Sequence, residues 1–274
     1  MSIVAALAAG HAPGITGWPE HAPPEQAERF FKGYEKLRET LIAGRPDVAI
    51  VITPEHWANF FLNNMPAFCI GVGEEFAGPL EDPKFLRVPK TKVPGAPGPA
   101  RRLLEAANKE IDLAFSEELI LDHGTMVPLH LLTPQMNLPV IPLIVNCLAH
   151  PMPPLQRCYR MGEVLGETVR AWPERVALLA TGGLSHWPAM LEAGKINVEF
   201  DQGFLRLFQE GRAKEFARKT DAEVESQAGP GAHETRTWMV LAGALPGAKA
   251  ETLSYEPVKA WATGCAVASL QTAW

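Results

Sequence analysis

Four short and almost unbroken apolar runs recur along the chain: SIVAALAAG near the start, DVAIVIT from Asp47, LPVIPLIVNCL from Leu138 and RVALLAT from Arg175. Runs of this length without polar alternation are strands buried on both faces, the mark of a sheet sandwiched between helices. Between them the period changes. In PEQAERFFKGYEKLRETLIAG the apolar positions Phe30, Tyr34, Leu37 and Leu41 fall at helical spacing, and Gly44 closes the segment. Further helices are predicted at RRLLEAANKEI, LQRCYRMGEVLGETVRAW and HETRTWMVLAGAL, and further strands at AFCIGV, EELIL, TLSYEPV and GCAVASLQT. From about Glu199 to Ser226 the pattern is helical and charged, and reads as an exposed helical segment. Pro79 to Pro99 holds six prolines in 21 residues, which forbids a long helix or a central strand. It is expected as a long irregular loop, of the kind that forms lids or binding walls. Strands and helices alternate with no flexible linker and no internal repeat. The expectation is a single three-layer α/β domain over residues 1–274.

Three apolar runs lead into a histidine. His11 follows SIVAALAAG, His56 follows DVAIVITPE and His186 follows RVALLATGGLS, each in a turn rich in Gly, Pro or Ser. Open α/β sheets hold their ligands at the carboxyl ends of the strands. Three imidazoles delivered to one sheet edge therefore suggest a metal or an acid/base centre. Glu234, in PGAHETRTW, is the best candidate for an accompanying carboxylate. Two His and one carboxylate on one face, with the other positions open, is the donor set of non-haem Fe(II) oxygenases.

Other histidines have ordinary roles available. His21 precedes a helix in a loop, and His130 sits in VPLHLLTP, where packing is expected. His150 ends the run NCLAHP and competes with the three leading candidates, but lacks a companion acid or a Gly turn. His233 adjoins Glu234, and neighbours on a helix point in different directions, so one of the two faces a site. His123, in LDHGT, either reaches the sheet edge or has a structural role, with Asp122 or His123 capping the next helix. Glu234 by itself is also a favourable acid in a first helical turn.

Charge and cysteine usage narrow the classes. A net charge of −6 and a pI near 5.8 leave no basic stripe to neutralise phosphates, so nucleic acid is not an expected partner. No apolar run approaches membrane-spanning length, and the N-terminus lacks the basic start of a signal peptide. Cys69, Cys147, Cys158 and Cys265 form no CxxC pair, which removes a zinc knuckle or a redox motif and fits a reducing, cytoplasmic compartment.

Taken in order, GHAPGITGWP, PEHW, LDHGTMVPL, TGGLSHWP and HETRTW resemble the class III extradiol ring-cleavage dioxygenases across the whole chain. The resemblance implies a mixed sheet with helices on both faces. It implies Fe(II) held by His11, His56 and Glu234, His186 as acid/base, and His123 contacting the substrate hydroxyls without binding metal. The implied substrates are O2 and a small aromatic diol or relative: protocatechuate, gallate, a substituted catechol, a biphenyl diol, an aminophenol or a hydroxypyridone. A carboxylated substrate would want a cation, which Arg87, Lys90 or Lys92 of the Pro-rich segment could supply. Family members assemble as homo-oligomers or with a small second subunit, and both are open here. Two other classes remain: a zinc-dependent hydrolase, since His/His/Glu also binds Zn(II), and a non-catalytic binding protein on the same fold.

Overall fold

The computed structural model describes residues 2–272. Its strands are Ile3–Ala9 (β1), Val48–Pro54 (β2), Phe68–Gly71 (β3), Glu75–Gly78 (β4), Thr91–Pro94 (β5), Ala114–Ser116 (β6), Val140–Val145 (β7), Val176–Thr181 (β8), Ala250–Val258 (β9) and Thr263–Leu270 (β10). Its helices are Gly14–Gly17 (α1), Pro24–Gly44 (α2), Pro83–Leu86 (α3), Pro97–Ala107 (α4), His123–Leu132 (α5), Leu155–Arg170 (α6), Val198–Gln209 (α7), Asp221–Ala228 (α8) and Thr235–Ala244 (α9). Eight strands make one sheet in the order β6-β3-β7-β2-β8-β1-β10-β9. The inner four, β7, β2, β8 and β1, are parallel. β10 and β9 return antiparallel at one end, and β3 opposes β7 at the other. The sheet is mixed, as expected.

The unbroken apolar strands follow from burial on both faces. In β2, Val48, Ile50 and Ile52 enter one core cluster while Ala49 and Val51 enter the other. The first cluster lies beneath α4, α6, α7 and α9, and the second beneath α2 and α5. Helices α6 and α9 pack backbone against backbone: a Cβ added at Gly162 would lie 2.0 Å from the Val240 carbonyl oxygen, so the approach requires glycine.

Three local expectations are corrected. The Pro79–Pro99 segment is not an irregular loop, because it contains α3, β5 and the start of α4. β5 pairs with β4 in a separate two-stranded ribbon. Proline excludes a central strand but not a short ribbon off the main sheet. EELIL is no strand of the sheet. The Asn59 side chain takes both the N–H and the C=O of Ile120, and β6 forms earlier, at Ala114–Ser116. Residues Glu199 to Ser226 are not simply exposed. α7 is amphipathic, burying Phe200, Phe204, Leu205 and Phe208 together with Asp201.

Candidate metal centre and its cavity

Because β2, β8 and β1 are parallel neighbours, their C-terminal ends lie side by side, and each leads into one of the three histidines. His11 and His56 stand two residues beyond β1 and β2, and His186 five beyond β8. Glu234 ends the 3-10 turn Pro230–Glu234 and stands at the N-cap of α9, rather than lying in the first turn of that helix. His123 is the first residue of α5, and it is Asp122 that caps that helix, accepting from the Gly124 N–H.

One buried carboxylate collects these elements. Glu234 Oε2 lies 3.4 Å from His11 Nε2, and Oε1 lies 3.3 Å from His56 Nε2 and 3.4 Å from His186 Nε2. The Gly183 N–H donates to Oε2 at 2.6 Å. Burial resists charge on Glu234, but His11, His186 and His56 outweigh it and hold the carboxyl well below its usual range. His11 goes the other way. Burial dominates and lowers its pKa to about 3, so the ring is neutral, the form a metal ligand requires.

The surrounding groups fix which nitrogen each ring presents. His56 Nδ1 lies 2.9 Å from Asp122 Oδ2. Burial alone would lower the pKa of His56, yet Asp122 and Glu234 raise it well above the ordinary value. His186 Nδ1 lies 2.9 Å from the Leu184 carbonyl oxygen. A carbonyl only accepts, so Nδ1 carries a hydrogen and the neutral ring offers Nε2 as acceptor. Gly231 makes room for that ring, since a Cβ there would fall 2.2 Å from His186 Nε2. His123 Nδ1 lies 2.6 Å from Glu81 Oε1, and its ring stacks on His56 with centroids 4.2 Å apart.

Two donor sets could hold a cation. His11, His56 and His123 can each offer a nitrogen within one 4.8 Å cluster. In the set His11, His56 and Glu234, the carboxylate oxygens lie 3.4 Å from His11 Nε2 and 3.3 Å from His56 Nε2, the spacing of neighbouring ligands around one ion at about 2.1 Å. The second set brings a negative charge and leaves His123 on Glu81. A carboxylate behind a ligating imidazole, as Asp122 stands behind His56, fixes ring orientation and raises ligand basicity.

The remaining histidines fall outside this centre. His150 is exposed, with its ring 5.9 Å from that of His233, and Glu225 completes a cluster with them. Arg236 donates to His233 Nδ1 at 2.9 Å, which leaves the proton on Nε2 of the neutral ring and makes His233 a poor ligand. His21 is exposed, and His130 lies on α5 as expected.

Sequence reasoning missed several supporting groups. The sequence offers Asp122 or His123 as a helix cap, but gives no sign of Asp122 as the partner of His56. Glu81 lay inside the proline-rich run, Asp201 inside a segment read as exposed, and Arg236 is wholly buried. Asp201 accepts from the Ser185 N–H at 2.8 Å, the Ser185 hydroxyl at 2.9 Å and the Tyr255 hydroxyl at 2.7 Å, and so pins the loop that carries His186. The donor atoms open onto a cavity of about 540 Å³ walled by indole, proline and aliphatic side chains.

Comparison with known proteins agrees with this architecture. The family described as the catalytic LigB subunit of aromatic ring-opening dioxygenase matches residues 5–266. A Photorhabdus laumondii protein named 2,3-dihydroxyphenylpropionate/2,3-dihydroxicinnamic acid 1,2-dioxygenase is 29% identical, over 91% of this chain and 92% of its own. A Rhodococcus rhodochrous protein of the same name is 27% identical over 98% of both. The crystal structure of an uncharacterized Escherichia coli K12 protein superimposes with a TM-score of 0.60 over 96% of this chain and 98% of that one, at 17% identity, a likeness of fold alone. With the family match spanning nearly its whole length, the chain belongs to the LigB family of aromatic ring-opening dioxygenases.

Proposed function

We propose that the protein opens the ring of a catechol-like diol with O2, beside the two oxygen-bearing carbons, and that its metal is Fe(II) held by His11, His56 and Glu234. One observation carries this reading. A single buried carboxylate lies within 3.4 Å of the Nε2 atoms of His11, His56 and His186, on the wall of a cavity lined mostly by apolar side chains. Two imidazoles and a carboxylate leave positions for a chelating diol and for O2. Bound there, Fe(II) supplies Lewis acidity toward the diol oxygens and the redox chemistry that O2 requires.

The chain's own residues do the rest. His186, with Nδ1 committed to Leu184, accepts a hydroxyl proton at Nε2 and returns it as the O–O bond breaks. His123, with Nδ1 committed to Glu81, keeps Nε2 for the second hydroxyl. The apolar wall excludes water and holds the ring. One C–C bond and the O–O bond break, and both oxygen atoms enter the product, so no external reductant is consumed. The four cysteines are free and buried, which suits the cytoplasm. The proposal includes assembly as a homo-oligomer or with a small separate subunit, distinguished by the mass of the iron-loaded protein in solution.

The test is anaerobic loading with Fe(II), then O2 uptake with catechols, aminophenols and hydroxypyridones. One O2 consumed per ring opened, with a new absorbance and no activity after Zn(II) loading, is the expected result. Absence of O2 uptake with every compound overturns the reading.

A further inference from the structure

We propose that the cavity selects an uncharged catechol carrying an apolar alkyl or aryl substituent, and discriminates against a carboxylated one. This rests on the ring-opening reading above. The curated relatives are named for dihydroxyphenylpropionate and dihydroxycinnamic acid, substrates that bear a carboxylate. The wall of this cavity has the opposite chemistry. Trp18, Trp57 and Trp261 line it together with Pro13, Leu148 and Pro230. The indole N–H of Trp18 is spent on the Ala260 carbonyl at 2.9 Å, so that ring offers only apolar surface. Among the described residues that line the wall, the ionisable side chains are histidines, Cys147 and the two carboxyls Glu55 and Glu234, with no lysine or arginine.

Cations that sequence suggested for a carboxylate are committed elsewhere. Arg87 forms a two-pronged pair with Glu20 at 2.9 and 2.7 Å, Lys90 donates to the carbonyls of Pro79 and Leu80, and Lys92 pairs with Glu75. None of the three lines the cavity. A substrate carboxylate on the ring substituent would enter a mostly apolar wall that offers it no lysine or arginine, which is disfavoured. Size favours a substituted ring. A cavity of about 150 Å³ takes up benzene, and about 540 Å³ leaves room for a substituent as large as a second ring.

The experiment compares kcat/KM, by O2 uptake with the Fe(II)-loaded enzyme, for 3-ethylcatechol and 3-phenylcatechol against 3-(2-carboxyethyl)catechol. The neutral compounds are expected to lead by about 10–100-fold. Leu148→Arg, at a half-exposed wall position, should narrow or invert that ratio by giving the carboxylate a partner. Equal or better turnover of the carboxylated compound by the unaltered enzyme overturns the selectivity and leaves ring opening standing. If no catechol is turned over, ring opening fails, and titration of tryptophan fluorescence in the metal-free protein decides the selectivity separately. A lower Kd for the neutral compounds supports it there, and an equal or lower Kd for the carboxylated one overturns it.

Discussion

Asp122 joins two elements through its two carboxylate oxygens: Oδ2 lies 2.9 Å from His56 Nδ1 at the end of β2, while Oδ1 accepts the Gly124 N–H that opens α5. The residue that starts the helix therefore also aims the imidazole. Replacing Asp122 by Asn keeps an acceptor for the cap but removes the charge that holds His56 Nδ1–H. Metal affinity should fall about 10–100-fold, with little change in helix content. Competition against a chelator of known affinity measures the first and far-ultraviolet circular dichroism the second. Unchanged metal affinity would show that His56 needs no orienting carboxylate.

Glu234 and His123 compete for the third place beside His11 and His56. The carboxylate contacts both of those imidazoles, whereas His123 Nδ1 is engaged by Glu81. Glu234→Ala should abolish stoichiometric iron binding, while His123→Ala should keep the iron and lose turnover by about 10²-fold or more. Metal content after gel filtration distinguishes them. If the iron follows His123 instead, the three-histidine set is the true one.

Much of this centre was legible because burial on both faces writes itself into a strand. β1, β2 and β8 show as apolar runs, and a histidine just beyond each run needs only a parallel sheet to become a neighbour of the others. Glu234 was legible as a nearby acid, but its place at the junction of a 3-10 turn and α9 was not. Asp201 left no local signal. Its helix carries charges on the open face, and what buries it is distant in sequence: Tyr255 of β9, and Gly264 of β10, where a Cβ would lie 2.0 Å from its Oδ2. The same holds for Glu81, whose partner is 42 residues away. Residues that support a site through long-range contacts carry no periodicity to read.

Asp201 yields a stability prediction. Burial raises its pKa above the ordinary 3.8, against the donors from Tyr255 and Ser185 that favour the anion. A carboxyl whose folded pKa lies above its unfolded one binds its proton more tightly when folded. Its contribution is therefore full below the unfolded value and declines as pH rises through the folded one. Asp201→Asn cannot titrate, so the wild-type-minus-variant difference in unfolding free energy should shrink as pH rises from just below 3.8 into the range above it. Asp201→Ala leaves three donors unpaired and should cost about 2–4 kcal/mol at the low end of that pH range, with the same decline as pH rises. Urea unfolding of the metal-free proteins at a series of pH values checks both, and a difference that grows with pH would reverse the sign.

His186 is the residue whose loss should separate chemistry from metal binding. Its Nε2 lies 3.4 Å from Glu234, yet Nδ1 is fixed on Leu184 and the loop behind it is anchored through Ser185 to Asp201. A fourth protein ligand would leave too few open positions for a chelating diol together with O2, so the role proposed for the ring is toward the substrate rather than the metal. A positioned acid/base is worth roughly 10²–10⁴ in rate. His186→Ala should keep stoichiometric iron and bind catechol with similar affinity, while kcat falls by about that factor. Iron analysis, substrate titration and O2 uptake on one preparation give the three numbers. Turnover near the wild-type rate in the iron-replete variant would move the base to His123, while loss of the iron would make His186 a ligand.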